Sequence, residues 1–320
     1  MSEPVGDVPA VEAPGAAGRS GVSVRGLRRR FGPVEAVRGI DLTAAPGEVT
    51  ALVGPNGAGK TTLLLVLATL LVPDVGQVRV AGHDPVTEPD EVRARMGWSP
   101  DVFGLYDNLT AREYLEFMGA AFRLDRARAR ARAGELLELA GLTDRAEAPV
   151  HTLSRGQKQR LGLSRAMVHD PQVLLLDEPA SGLDPRARVD LRNLLRELAG
   201  QGTAVVVSSH LLGDLEELAD RVVFVDRGET VGEHRVDQLP AGSAMRPWRV
   251  RALDPTALVT ALTRNGYDHD APTPAGVDVR LGSDEAAAAL IAGLVRDGVA
   301  VVSCQPLGGQ LEAAYLELTS

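Results

Sequence analysis

The chain has 320 residues, of which 44% are hydrophobic and 24% are charged, and its formal net charge is -9. This length suits one large domain with a smaller one, and the acidic balance argues against a chain-wide nucleic-acid surface, which is usually basic. The single cysteine, Cys304, excludes an internal disulfide, and the longest apolar run, Leu63–Val72, is far shorter than the roughly 20 residues of a membrane span. The N-terminal residues do not have the pattern of a signal peptide. We therefore expect a protein that stays in the cytosol.

Residues 1–20 are rich in Pro, Gly, Ala and acidic residues and predict a disordered tail. The main domain is predicted over residues 21–237. Its predicted strands are Val22–Val24, Val34–Val37, Ile40–Leu42, Glu48–Val53, Gln77–Val80, Val173–Leu176, Thr203–Ser208 and Arg221–Asp226. Its predicted helices are Lys60–Leu71, Thr110–Ala120, Asp125–Ala140, Gly156–Val168, Pro185–Ala199 and Leu211–Ala219. Residues from about 105 to 150 therefore form a mainly helical region.

The fold class that this pattern predicts is α/β. Continuous Val and Leu strands that alternate with helices are typical of a mostly parallel sheet covered on both faces. After a linker-like segment, LPAGSAMRP, residues 245–320 predict a small α+β accessory domain without a catalytic cluster. Its predicted strands are Trp248–Leu253, Asp278–Leu281 and Val299–Cys304, and its predicted helices are Thr256–Asn265, Ser283–Asp297 and Gly309–Leu318.

A glycine-rich loop separates the apolar segment Glu48–Val53 from the next predicted helix. It reads GPNGAGKTT and matches the pattern G-x-x-x-x-G-K-[ST]. Glycines let the backbone N–H groups face phosphate oxygens, and the helix that follows presents its positive end. Lys60 can neutralise the outer phosphates, and the Thr61 hydroxyl can ligate Mg²⁺. The ATP-binding residues predicted here are Gly54, Pro55, Asn56, Gly57, Ala58, Gly59, Lys60, Thr61 and Thr62.

A second motif, VLLLDE, places two acids at the end of the predicted strand Val173–Leu176. Asp177 is positioned to hold the Mg²⁺ shell, as the second acidic site of phosphate-loop NTPases does. Glu178 follows it and is predicted to be catalytic, because its carboxylate can polarise the attacking water.

A third motif makes the resemblance specific. Residues 153–160 read LSRGQKQR, which resembles the signature motif of ABC ATPases, most commonly LSGGQ, with Arg155 in place of a glycine. With the two motifs above, SGLDP at Ser181–Pro185, and His210, the resemblance covers about residues 22–232. The chain resembles the ATP-binding subunits of bacterial exporters whose permease is a separate chain, including the drug- and antibiotic-resistance group. That resemblance implies a phosphate-loop NTPase fold with an N-terminal antiparallel β subdomain and a helical subdomain at about 105–150.

The resemblance also implies partners and further site residues. Two copies would form a homodimer that sandwiches two ATP molecules. Together they would energise export by a separate transmembrane permease from the inner face of the membrane, without direct nucleic-acid contact. The residues implied to contact the ATP of the second copy are Ser154, Arg155, Gly156 and Gln157. His210 would be catalytic, since it would contact the γ-phosphate region and position water. Phe31 would stack on adenine, with a core position as the alternative for this phenylalanine.

Asp101, in MGWSPD, departs from the family, which normally has a glutamine there. Its carboxylate can ligate Mg²⁺ directly or through water, and we expect it to line the site without acting as the base. The alternative function is a non-transport ABC ATPase that acts on ribosomes or nucleic acid. Such proteins generally carry two ATPase modules, a long coiled coil or zinc inserts, whereas this sequence has one module.

Overall fold

The computed structural model describes residues 21–102, 104–209, 212–238, 246–307 and 309–319. The predicted disordered tail over residues 1–20 and the predicted catalytic His210 lie outside the described residues. Most of the predicted linker also lies outside them.

Among the described residues, nine strands form one mixed sheet in the order β4-β1-β2-β9-β8-β3-β7-β6-β5. They are β1 (Val22–Phe31), β2 (Val34–Ala44), β3 (Val49–Val53), β4 (Val75–Val80), β5 (Met96–Ser99), β6 (Val173–Asp177), β7 (Ala204–Ser209), β8 (Arg221–Asp226) and β9 (Glu229–Arg235). The core of the sheet consists of five mutually parallel strands in the order β8-β3-β7-β6-β5. In contrast, β1 pairs antiparallel with β2 and β4. The predicted α/β class, with a mostly parallel core and an N-terminal antiparallel region, is confirmed.

Helices cover both faces of this sheet. They are α1 (Lys60–Leu67), α2 (Pro89–Arg93), α3 (Ala111–Ala121), α4 (Arg126–Leu139), α5 (Arg155–Ala166), α6 (Pro185–Gly200) and α7 (Leu212–Glu216). The alternation of side chains along a strand divides the apolar residues between two cores. On β6, Leu174 and Leu176 join one core, and Val173 and Leu175 join the other. This burial on both faces explains why the core strands read as continuous apolar runs.

Several predicted boundaries are corrected. The β1 and β2 strands extend well beyond the short segments expected, because bulges and outward-facing polar residues hide their alternation. The first helix ends at Leu67 rather than Leu71, since Thr69 adopts a positive φ of 62°. Strand β5 was not expected. It contains Gly97, where a Cβ would lie 2.1 Å from the Ala166 carbonyl oxygen, so close packing of α5 requires a residue of low strand propensity there.

The C-terminal residues form a second, smaller sheet and a helix that leaves it. Strands β10 (Arg246–Ala252), β11 (Val277–Leu281) and β12 (Val301–Pro306) are antiparallel, and they pack with α8 (Pro255–Arg264) and α9 (Asp284–Arg296) around their own core. The last helix, α10 (Gln310–Thr319), instead contributes the buried Leu311 and Ala314 to the core of the large sheet. The Glu216 carboxylate accepts the Leu311 backbone N–H at 2.7 Å. The division at residue 245 remains a proposal, and α10 packs across it.

Leu311→Ala is expected to destabilise the whole protein. Its side chain is fully buried against the large sheet, so truncation should lower the free energy of unfolding by about 2–5 kcal/mol through lost apolar contacts and a cavity. Leu318→Ala is the matched control, because Leu318 lies on the same helix and is 38% exposed. Its cost should stay below about 1 kcal/mol. Chemical denaturation measures the free energy of unfolding of both variants. Equal losses in the two variants would contradict the packing of α10 against the large sheet.

His169 is expected to make stability depend on pH. Its ring stacks on Phe122 at 3.8 Å, its Nε2 contacts the Met96 carbonyl oxygen at 3.1 Å, and burial lowers its pKa to about 4. The folded protein therefore resists a proton that the unfolded chain takes up near pH 6.5. The contribution of His169 to the free energy of unfolding should be fully present above pH 6.5. The free energy of unfolding should fall by up to about 3 kcal/mol as the pH drops towards 4, and then level off.

Denaturation of wild type and His169→Phe across pH 4–7 measures this effect. Phenylalanine keeps an aromatic ring against Phe122 but cannot bind a proton. Its stability should therefore change less over that range, and identical pH profiles would rule out His169 as the cause.

Candidate active site

The loop after β3 is shaped by its glycines. Gly54 lies so close to β8 that a Cβ would be 2.1 Å from the Val225 carbonyl oxygen, which no side chain could tolerate. Gly59 adopts a φ of 101° and is the N-cap residue of α1. The chain therefore turns tightly from a buried strand into a helix whose first N–H groups face the loop, an arrangement suited to binding phosphate.

Lys60 lies at the centre of this loop. Its side chain is buried, and its ammonium donates to the carbonyl oxygens of Gly54 at 2.6 Å and Pro55 at 3.1 Å. Burial lowers the pKa of Lys60, although the carboxylates of Glu178 and Asp177 oppose this effect. A poorly hydrated cation held on carbonyl oxygens can exchange them for the more strongly charged oxygens of a phosphate.

Asp177 is held by two hydroxyl groups at the end of β6. Its Oδ2 accepts from Thr61 Oγ1 at 3.0 Å, and its Oδ1 accepts from Ser208 Oγ at 2.5 Å. Asp177 is 5% exposed, so these bonds satisfy its buried carboxylate and fix its orientation. Ser208 is not among the site residues predicted from the sequence. The signal that could have found it is the polar pair that ends the otherwise apolar strand β7.

Glu178 follows in an unusual backbone conformation. Its φ is 49°, which is uncommon and costly for a residue other than glycine. Its N–H donates to Ser208 at both the carbonyl oxygen (3.2 Å) and Oγ (3.1 Å), and its carbonyl oxygen accepts the Ser181 N–H at 3.0 Å. These three bonds hold the residue where its half-buried carboxylate faces the loop.

One pocket of about 340 Å³ brings these groups together. Asp101 lines it, as do both acids and the loop from Asn56 to Thr62. Ala36, on β2, also lines it and was not identified from the sequence. The pocket thus combines a buried cation, backbone N–H groups, a hydroxyl and three carboxylates, which suits a phosphate chain with a divalent cation.

Other predicted residues lie apart from this pocket. Phe31 ends β1 with 45% of its surface exposed, and the Arg29 guanidinium lies 5.0 Å from its ring centre. Phe31 does not line the pocket, so its stacking on adenine remains a prediction. Residues 154–157 do not line it either. They lie at the start of α5, beside a different cavity of about 440 Å³. Arg155 lines this second cavity, and Asp101 lines both.

The start of α5 is a well-formed helix N-terminus. Ser154 Oγ accepts the Gln157 N–H at 3.3 Å, and the Gln157 side chain accepts the Ser154 N–H at 2.9 Å, which is a capping box. The first intrahelical bond runs from the Lys158 N–H to the Ser154 carbonyl oxygen. The N–H groups of Arg155 and Gly156 precede that bond and point out of the helix end, where an anion can accept them.

A glycine loop joins the parallel strand β3 to a helix and contains a buried lysine, and two acids follow the end of β6, another parallel strand of the same sheet. This arrangement defines a phosphate-loop nucleotide-hydrolysing protein. Residues 37–181 match the family model described as ABC transporter. The chain is 43% identical over 220 residues to a daunorubicin resistance ATP-binding protein, DrrA3, of Streptomyces coeruleorubidus, covering 69% of this chain and 70% of that protein. It is 36% identical to the Nod factor export ATP-binding protein I of Ralstonia nicotianae, covering 68% of each.

The solved structures agree with these relatives. A dimeric, post-hydrolysis ATP-binding cassette bound to ADP and Pi is 28% identical, with a TM-score of 0.62, covering 67% of this chain and 98% of that one. The ATP-binding subunit of an ABC transporter is 27% identical, with a TM-score of 0.64, covering 69% and 92%. This chain belongs to the ATP-binding subunits of ABC transporters, which confirms the resemblance inferred from the sequence.

The chain is therefore an ATP-binding and ATP-hydrolysing motor subunit. These relatives support that role and not the alternative of an ATPase that acts on ribosomes or nucleic acid. Within the described part of the chain, no helix combines the length and apolar character needed to cross a bilayer.

Proposed function

We propose that two copies of this chain close head to tail over two ATP molecules and thereby power export through a separate membrane permease. The observation that carries the proposal is the position of the α5 N-terminus, which presents N–H groups outside the chain's own phosphate pocket. Those N–H groups can donate to the phosphates of an ATP molecule that is bound in the pocket of a second copy. The relatives named for daunorubicin resistance and Nod factor export support the export role.

Each site residue has a role in this proposal. The loop N–H groups and Lys60 hold the outer phosphates, and Ser154 with Gly156 of the other copy closes on the γ-phosphate. Glu178 orients the attacking water and accepts its proton. His210 contacts the γ-phosphate region, and Phe31 stacks on adenine.

The residues present fit Mg²⁺. The Thr61 hydroxyl and the Asp177 carboxylate, 3.0 Å apart, share the pocket with the carboxylate of Asp101. Among the described residues, no three His, Cys, Asp or Glu side chains form a protein-only metal site. This is the pattern expected for Mg²⁺, which prefers few carboxylates and takes its other ligands from water and phosphate. When bound there, it would neutralise charge on the β- and γ-phosphates.

Asp101→Asn is expected to change the Mg²⁺ dependence of hydrolysis. The substitution removes an anion from the phosphate pocket while keeping nearly the same shape. We therefore expect ATP to bind more tightly without Mg²⁺ and the Mg²⁺ concentration for half-maximal rate to rise severalfold. Asp107→Asn is the control, since Asp107 lines the neighbouring cavity and not the phosphate pocket. An unchanged rate and Mg²⁺ dependence in Asp101→Asn would remove Asp101 from the site.

The partner and the location are also proposals. The permease is a separate chain, and this subunit binds it from the cytoplasmic face of the membrane, without direct nucleic-acid contact. Residues 245–320 are proposed as an accessory domain that assists dimer formation or permease contact. Co-expression with the permease should give a complex whose ATPase rate differs from that of the isolated chain.

The dependence of rate on protein concentration tests the two-copy unit directly. Because each active unit contains two chains, the ATPase rate of the isolated protein should rise as the square of its concentration while dimers are scarce. The rate per chain should then become constant once dimers predominate. A strictly linear rate from the lowest concentration, together with a monomeric mass at that concentration, would show that one copy is sufficient.

A further inference from the structure

Arg155 forms a contact within its own chain that its place in the signature motif does not require. Its guanidinium donates to Ser181 Oγ at 3.4 Å, and it lies against Gly182, where a Cβ would be 2.8 Å from Arg155 Nε. Both contacted residues belong to the loop between β6 and α6. The arginine therefore bridges the start of α5 and the loop that follows Glu178.

The contacted loop also holds the catalytic carboxylate. The Ser181 N–H donates to the Glu178 carbonyl oxygen, and this turn helps to keep Glu178 at its positive φ of 49°. A non-glycine residue in that conformation depends on its surroundings to stay there. A change at Ser181 should therefore alter where the Glu178 carboxylate lies.

The same guanidinium stands beside the N–H groups that would meet the phosphate of the second copy. Arg155 is exposed and lies at the first position of α5. A guanidinium binds an anionic phosphate oxygen more strongly than a neutral hydroxyl oxygen, because both partners of the phosphate bond are charged. An approaching phosphate would therefore draw the guanidinium away from Ser181.

We propose that Arg155 is a positioning residue that links the two ATP sites. In the single chain, the Arg155 guanidinium holds the loop through the Ser181 hydroxyl. When the ATP of the second copy arrives, the guanidinium leaves this hydroxyl and binds a phosphate oxygen. Release of Ser181 then lets Glu178 of the same chain take its working position. Binding at one site thus prepares hydrolysis at the other. This proposal rests on the head-to-tail dimer proposed above.

The test compares the dependence of ATPase rate on ATP concentration in Arg155→Ala, Ser181→Ala and the double variant. The wild-type Hill coefficient should approach about 2, the number of sites. Each single variant should lower it to about 1, and the double variant should lower it no further, because both changes break one link. Arg186→Ala is the matched control, since Arg186 is also exposed and lies in the first turn of α6. It should keep the wild-type value.

Two results would overturn the proposal. If Arg155→Ala lowers the Hill coefficient while Ser181→Ala keeps the wild-type value, Arg155 acts on nucleotide alone. If the wild-type coefficient is about 1, there is no linkage for Arg155 to carry. The dimer is judged separately, from the mass of Glu178→Gln with Mg²⁺ and ATP. A dimer there leaves the proposed function standing even when the Arg155 proposal fails.

Discussion

Glu178→Gln should lower the rate of ATP hydrolysis by about 10²–10⁴-fold while ATP binding is retained. Glutamine has nearly the shape of glutamate, so the three backbone bonds that hold the positive φ at this position can persist. An amide cannot accept the proton of the attacking water, so the chemical step loses its base. The loop and Lys60 are unchanged, so the affinity for ATP should stay within a few fold.

Rate and affinity are measured separately, by phosphate release and by equilibrium binding of ATP. Glu229→Gln is the control for loss of a carboxylate, because Glu229 is exposed on β9 and does not line the pocket. It should hydrolyse ATP at the wild-type rate. Glu178→Gln turnover at a rate close to wild type would exclude Glu178 as the base.

Gly156→Glu should abolish hydrolysis without weakening the binding of ATP to the monomer. A side chain fits there, since a Cβ would meet Leu183 at 3.6 Å, an ordinary contact distance. An acid in the first turn of α5 also interacts favourably with the helix dipole, so the fold should be retained. The added charge would face the γ-phosphate of the second copy. Like charges brought together at an interface cost several kcal/mol, enough to reduce the rate by about 100-fold or more.

Gly156→Ala is the matched control, because it adds the Cβ without the charge and should retain most of the activity. The affinity of the monomer for ATP separates the two possible positions of this residue. If Gly156→Glu weakened that affinity as strongly as it reduced the rate, the signature residues would belong to the chain's own site. The proposal that each copy completes the ATP site of the other would then be wrong.

The sequence was sufficient for those parts of the site that are contiguous in the chain. The loop from Gly54 to Thr62 and the pair Asp177–Glu178 carry their chemistry in consecutive residues, and both lie where the motifs predicted, at strand ends of a parallel sheet. The capping box at Thr110 was also predictable, since it needs one helical turn.

Contacts that depend on strand pairing were not predictable. Ser208 reaches Asp177 because β7 lies beside β6, and Ala36 reaches the phosphate pocket from the antiparallel region. The polar pair that ends β7 distinguishes Ser208 in the sequence but does not show which residue it contacts, and no short-range pattern marks Ala36. The same limit applies to Leu311, whose apolar side chain could equally have packed in the small C-terminal core. Asp101 was expected at one site, whereas it lines two neighbouring cavities.

The mass of Glu178→Gln in solution with Mg²⁺ and ATP tests the central claim most directly. Slowed hydrolysis should trap the closed state, so the protein should have twice the mass of one chain with ATP and the mass of one chain without nucleotide. The double variant Glu178→Gln with Gly156→Glu should stay monomeric in both conditions while still binding ATP. A Glu178→Gln protein that binds ATP and remains monomeric, or a dimer that the Gly156 change does not affect, would contradict the account.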